Sequence, residues 1–319
     1  MNKLALFLVF APLFGCTPTE SGSAWDSSTA SFNVDFDWPS LPARVVMGET
    51  AGVGVDSHGH VFVFHRGETH SVLILDPTDG SLVASFGDGL FVNAHGLAID
   101  HEDNVWVTDT LRHQVLKFTH DGELLLSIGE NGVSGLDETH FNQPTDVAVA
   151  PTGEIYVSDG YGNSRVAKFA SDGTFLMDWG EPGTLTSQFN LPHGITLDDH
   201  DNVYVADRSN QRVQVFDSVG TFKTAWGVEV FGPGSRPWGL EFHRGEVYVI
   251  DGGNMIADTP DYARLTIVGT NGQVMSSWSS YGAEPGQLSW GHDLTVGADG
   301  SVYTAEVRNN NRAQKFTRD

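Results

Sequence analysis

The chain has 319 residues, with 17 basic against 41 acidic for a formal net charge of −24, and a single cysteine, Cys16. An acidic excess of that size repels nucleic-acid phosphates and anionic membrane surfaces, and one cysteine excludes both an intrachain disulfide framework and a cysteine-rich zinc or iron–sulfur centre. With 39% hydrophobic residues and 37 glycines, the chain is too apolar for a disordered acidic polymer and reads as all-β with many tight turns.

Residues 1–16 (MNKLALFLVFAPLFGC) carry an early lysine, an apolar run too short for a stable membrane span, and a small residue before Cys16. This is the layout of an export signal. Its ending Leu13-Phe14-Gly15-Cys16 resembles a bacterial lipobox, which implies a lipid-anchored envelope protein whose only membrane contact is the lipid. Residues 17–42 open with a Ser/Thr/Gly-rich stretch and read as a flexible tether and lead-in. Residues 43–319 form one repetitive domain.

Six segments share an apolar strand, a turn, and a second strand of β-branched and aromatic residues that usually ends in an acid. They begin at Gly52, Gly96, Asp146, Gly194, Gly239 and Asp293, with steps of 44, 50, 48, 45 and 54 residues. Third and fourth strands follow, as in RVAKFASDGTFLMDWG (Arg165–Gly180) and RVQVFDSVGTFKTAWG (Arg212–Gly227). Four short strands at this period define a propeller blade, and six units define a six-bladed β-propeller, an all-β fold of NHL-like repeats. The last unit runs out after three strands, so its outer strand is expected from Ala43–Gly48 (ARVVMG), which would join the two ends of the chain. Closure leaves only short strand edges, which suits a monomer.

The repeat absorbs most charged residues that look catalytic. Asp109, Asp159, Asp207, Asp251 and Glu306 end second strands, and Arg165, Arg212, Arg264 and Arg312 open third strands. These read as acid–Arg scaffold pairs across the intervening turn. The departures from the repeat carry more information. In the first unit His65 stands where the acid should be, followed by Arg66, and the third unit places Tyr161 in its turn. His65, His113 and His140 read as bystanders.

The residues just before the six innermost strands are Ala51, His95, Thr145, His193, Trp238 and His292. Innermost strands surround the central channel, so equivalent positions form a ring at one height. Histidines in every second blade are related by near three-fold symmetry and can point at one spot on the axis. Three neutral imidazoles with an open fourth position are the layout of a catalytic zinc site. One layer deeper, the carbonyls of Val53 and Leu97 with the carboxylate of Asp293 offer oxygen ligands of the kind that suit calcium.

The motifs FHRG (Phe64–Gly67), HGLAID (His95–Asp100), FNQPTDVAV (Phe141–Val149), SDGYGNSRV (Ser158–Val166), LPHGI (Leu191–Ile195), VADR (Val205–Arg208) and GHD (Gly291–Asp293) together resemble the peptidyl-α-hydroxyglycine α-amidating lyase family. The resemblance spans about Val45 to Phe316. It implies zinc on His95, His193 and His292, a catalytic Tyr161 and Arg66, a further active-site Arg208, and structural calcium on Val53, Leu97 and Asp293. It also implies a substrate ending in α-hydroxyglycine, split into a peptide amide and glyoxylate; that substrate would come from a separate monooxygenase, or the enzyme would serve scavenging of N-substituted glycines. Two departures stand out: Trp290 and Gly291 replace a Met-Pro pair before the third histidine, and Gly162 stands where animal members carry a cysteine. The competing readings are a non-catalytic NHL-repeat propeller displayed on the envelope and another metal-dependent propeller enzyme such as a lactonase. The imidazole-rich channel disfavours both.

Overall fold

The computed structural model describes residues 30–253 and 263–319. The expected export signal, Cys16 and the first part of the tether lie outside the described residues. Among the described residues, six four-stranded antiparallel sheets, each paired in simple chain order except the last, form the body beside one short parallel pair, Glu181–Pro182 with Gln188–Phe189. The first blade runs Thr50–Val55, Val61–His65, Val72–Leu75 and Leu82–Phe86. The innermost strands of the next five are Ala94–Ile99, Pro144–Val149, Pro192–Leu197, Pro237–His243 and Gly291–Val296. This is the six-bladed propeller that the repeat implies.

The second strands explain why these blades stack. VFVFH, VWVTD, IYVSD and VYVAD are rich in β-branched and aromatic residues and are buried along their whole length. Both faces of each meet a neighbouring blade, so the core lies between blades. Phe62 and Phe64 of blade one pack with Val105, Val107 and Leu116 of blade two, and Tyr156 and Val166 of blade three pack with Ile195 and Val203 of blade four. Outer strands such as Phe175–Trp179 alternate between half-buried and exposed residues, as an edge in water requires.

The outer strand of blade six is a correction to the sequence reading. It is Phe32–Val34, not Ala43–Gly48; Phe32 pairs with Arg318 and Val34 with Phe316. Phe32 also stacks on Trp278 at 4.1 Å between ring centroids. Residues 43–48 cannot play this part because they lead straight into the innermost strand at Thr50. Two residues span at most about 7 Å, far too little to reach from the axis to the rim. The propeller therefore begins inside the stretch read as tether.

Three of the five scaffold acids pair with arginine as expected, and they also do more. Asp159 pairs with Arg165, Asp207 with Arg212 and Glu306 with Arg312, at 2.7–3.1 Å. Each acid also accepts backbone N–H groups from the segment entering the innermost strand of its own blade: Asn142 on Asp159, Asn190 on Asp207, Ser289 on Glu306. Asp109 has no arginine partner of this kind and instead takes the N–H groups of Val92, Asn93, Leu111 and Arg112. In blade one the bystander reading of His65 gives way to the same structural role. Its Nδ1 accepts from Gly48 and Gly67, and burial lowers its pKa to about 4, so it serves as a neutral acceptor.

Candidate metal centre and active site

Every blade carries a register shift at the start of its innermost strand: between Thr50 and Gly52, Ala94 and Leu97, Pro144 and Asp146, Pro192 and Ile195, Pro237 and Gly239, and Gly291 and Asp293. A bulge re-aims a side chain out of the ordinary pleat. Here it falls on the six ring positions. The anchored entry segments described above deliver the chain to these bulges, and Gln143, Leu191 and Trp290 enter with φ of 63°, 67° and 63°.

The three imidazoles meet on the axis. Their ring centroids are 4.8, 4.5 and 4.9 Å apart, and one nitrogen from each lies within 4.8 Å of the others. The other three ring positions complete the arrangement. His95 Nδ1 bonds the carbonyl of Thr145 at 2.6 Å, His193 Nδ1 that of Trp238 at 2.9 Å, and His292 Nδ1 that of Ala51 at 2.6 Å. A carbonyl only accepts, so each Nδ1 carries the proton and each Nε2 keeps its lone pair. Burial holds His95 at about 3 and His193 and His292 well below the ordinary histidine value. All three are neutral ligands before any ion arrives, and this donor set fits zinc.

Tyr161 closes the fourth side. Its hydroxyl lies 3.0 Å from His95 Nε2 and 3.3 Å from His193 Nε2, although the residue itself is 37% exposed. One guanidinium contacts Tyr161 and a second lies close to the histidines. Arg208 is buried, hydrogen-bonded to Tyr161, and stacked 3.8 Å over the Trp238 ring. Burial lowers its pKa, and the contact with Tyr161 opposes that shift. Arg66 donates from Nε to the carbonyl of Ala94, next to His95, at 2.9 Å and pairs with Glu49. Sequence reasoning missed Arg308, which lies 4.8 Å over Trp290 and sits in blade six where Arg208 sits in blade four, each opening a short 3-10 turn. Trp238 and Trp290, both buried and 6.1 Å apart, form an apolar wall beside the histidines.

Below the histidines the channel turns acidic. Asp293 Oδ2 accepts from the N–H of Val53 at 3.1 Å, and Asp146 Oδ2 from that of Ile195 at 3.0 Å. Val53, Leu97, Asp146, Glu241 and Asp293 line one cavity. Burial pushes Asp146 and Glu241 up to about 7 and Asp293 well above the carboxylate range, with Asp146 adding to the Asp293 shift by repulsion. Carboxylates held this unfavourably are a ready home for a hard cation. Val53, Leu97 and Asp293 were expected here; Asp146 and Glu241 were not. The signal for Asp146 was available, since four of the six blades have glycine at its position. In Gly52 and Gly96 an added Cβ would come within 2.7 Å of Leu97 and 2.5 Å of Asp146 respectively.

Fold and site together define an NHL-type propeller with a histidine-lined channel. The NHL repeat family model matches residues 141–169 and 189–216. The chain is 32% identical over 314 residues to peptidyl-glycine alpha-amidating monooxygenase B of Xenopus laevis, covering 86% of this chain and 34% of that protein. It is 35% identical over 228 residues to the probable peptidyl-alpha-hydroxyglycine alpha-amidating lyase of Caenorhabditis elegans, covering 63% of this chain and 64% of that one. Among solved structures, a streptogramin B lyase superposes with a TM-score of 0.63 at 14% identity, over 92% of this chain and 100% of the other; that likeness concerns the fold alone. The chain spans about a third of the length of the amidating monooxygenases it matches. The resemblance read from the motifs is thus borne out: the chain is a homologue of enzymes named as peptidyl-α-hydroxyglycine α-amidating lyases, at 28–35% identity.

Proposed function

We propose that this chain is a zinc-dependent lyase that splits a peptidyl-α-hydroxyglycine into a peptide amide and glyoxylate. The observation that carries the reading is the convergence of three unprotonated Nε2 atoms on one point, with the Tyr161 hydroxyl facing them. Zinc held by His95, His193 and His292 would supply a Lewis acid for the substrate hydroxyl oxygen. The remaining work falls to the side chains. Arg66, held by Glu49 and the Ala94 carbonyl next to His95, and Arg208, bonded to Tyr161, suit the substrate carboxylate. Trp238 and Trp290 offer an apolar face to the part of the peptide that precedes the hydroxyglycine.

The reaction balances without water or a redox partner. The N–Cα bond breaks and its electron pair goes to the amide nitrogen, which gains a proton. The hydroxyl loses its proton, and the carbon–oxygen bond becomes the carbonyl of glyoxylate. Tyr161 is the group positioned to accept that proton. Calcium belongs one layer deeper, on the carbonyls of Val53 and Leu97 and the carboxylate of Asp293, with Asp146 as an added neighbour. We further propose an exported monomer, lipid-anchored through Cys16, whose substrate comes from a separate hydroxylating enzyme.

The test is release of glyoxylate from α-hydroxyhippurate or a peptidyl α-hydroxyglycine. Activity should vanish with a zinc chelator and return with zinc. Failure to release glyoxylate at any zinc level would refute the lyase and leave the non-catalytic propeller.

A further inference from the structure

The far end of blade one holds a second convergence of imidazole and carboxylate. Asp56 lies in the turn after the innermost strand, five residues beyond the ring position Ala51, or roughly 17 Å along an extended chain. Its side chain is fully buried, and its Oδ2 meets His60 Nδ1 at 3.0 Å and His120 Nε2 at 3.0 Å. His60 belongs to the same turn; His120 comes from the outer turn of blade two. The three atoms lie within 4.8 Å of one another, and the two histidine side chains are 31% and 33% exposed.

The sister blades show how unusual this is. Asp100 and Asp198 occupy the position of Asp56, and each is served from its own blade. Asn104 and Trp106 donate to Asp100, and Asn202 and Tyr204 donate to Asp198. In blade one His60 replaces the asparagine, and Phe62, which has no donor, replaces the Trp or Tyr. At the His120 position, blades three and four carry Ser171 and Ser218. Three substitutions in two blades thus gather two imidazoles around one buried carboxylate, open to solvent on one side.

We propose that Asp56, His60 and His120 form a second site for a divalent transition metal, distinct from the channel and independent of the lyase reading. Two nitrogen donors and one carboxylate with open positions suit zinc and disfavour calcium, whose ligands are oxygens. Binding requires His60 to carry its proton on Nε2 and His120 on Nδ1. Both placements are provided for. The His60 ring is part-exposed to water, and His120 Nδ1 lies 3.4 Å from Asp121 Oδ1, the outer carboxylate that metal-bound histidines commonly engage.

The experiment counts zinc by equilibrium dialysis in the full chain, in the double variant His60→Asn/His120→Ser, and in His193→Ala. Both changes in the double variant restore residues that sister blades already use, so the fold is retained. The wild-type chain should hold two zinc ions and each variant one, with the double variant's glyoxylate release unchanged. Equal zinc content in the wild type and the double variant would overturn the site, whereas undiminished zinc in His193→Ala would count only against the channel reading. A second measurement needs no variant. Zinc should protect His60 and His120 of the wild-type chain from diethyl pyrocarbonate, while calcium should not. Equal modification with and without zinc would also overturn the proposal.

Discussion

Tyr161 lets the proposed chemistry be separated from metal binding at the scale of one atom. Its ring lies edge-on to His95 and His193, so Tyr161→Phe keeps the packing and removes only the hydroxyl. We expect turnover to fall by about 10²–10⁴-fold with zinc content unchanged, measured as glyoxylate release alongside metal analysis. His65 offers a different single-residue test. Burial holds it at about 4, against an ordinary value of 6.5. Between those values the unfolded chain binds a proton that the native chain refuses, so stability must drop as pH falls through this window. The full effect is about 3 kcal/mol. Urea melts at pH 7 and pH 4.5 should show this loss, and His65→Asn, which keeps an acceptor but cannot titrate, should lessen it. The three ring histidines were legible because they break a repeat at regular intervals. Their carbonyl partners were not, since a main-chain oxygen looks the same under Ala51, Thr145 and Trp238. Asp146 was overlooked because it served as a marker for the start of a blade.

At the scale of the strand and its turns, the acid that ends the second strand in five of the six blades is the part on which the site rests. Asp159 accepts from the N–H of Asn142, the side chain of Asn163 and Nε of Arg165, and Tyr161 follows two residues later. Arg165 is buried and keeps Asp178 as a second carboxylate partner, so Asp159→Ala would remove one of its two acid contacts as well as free the entry loop. A loss of about 1–3 kcal/mol is expected from the unsatisfied buried donors, visible as a lowered Tm, together with weaker zinc binding because the neighbouring ring position loses its anchor. The sequence pattern revealed these acid–Arg pairs correctly. It could not reveal the bulges, which follow from main-chain register and leave no residue type of their own. The same limit explains the misplaced outer strand: Ala43–Gly48 has strand-like residues, and only the geometry of the ring shows that it is too close to Thr50 to reach the rim.

On the scale of the whole molecule, the ring closes through a short three-residue strand. A chain beginning at Phe36 should lose several degrees of Tm relative to one beginning at Ala30, because it lacks the Phe32–Trp278 stack and the pairing with Arg312–Arg318. Thermal denaturation of the two truncations decides this. The acidic surface and the cationic mouth are compatible, because Arg66, Arg208 and Arg308 gather at one end of the channel while Asp146, Glu241 and Asp293 lie deeper within it. Each ring histidine leans on the next blade in chain order, from two to three, from four to five and from six to one. Two of these contacts lie within a continuous run of chain, but His292 on Ala51 bridges residues 241 positions apart across the seam where the circle is joined. The proposed metal site therefore depends on that seam staying closed. How long an ion resides in the channel should be set by how often blades six and one part company, so trimming a strand at the outer rim would shorten the lifetime of a metal held at the centre.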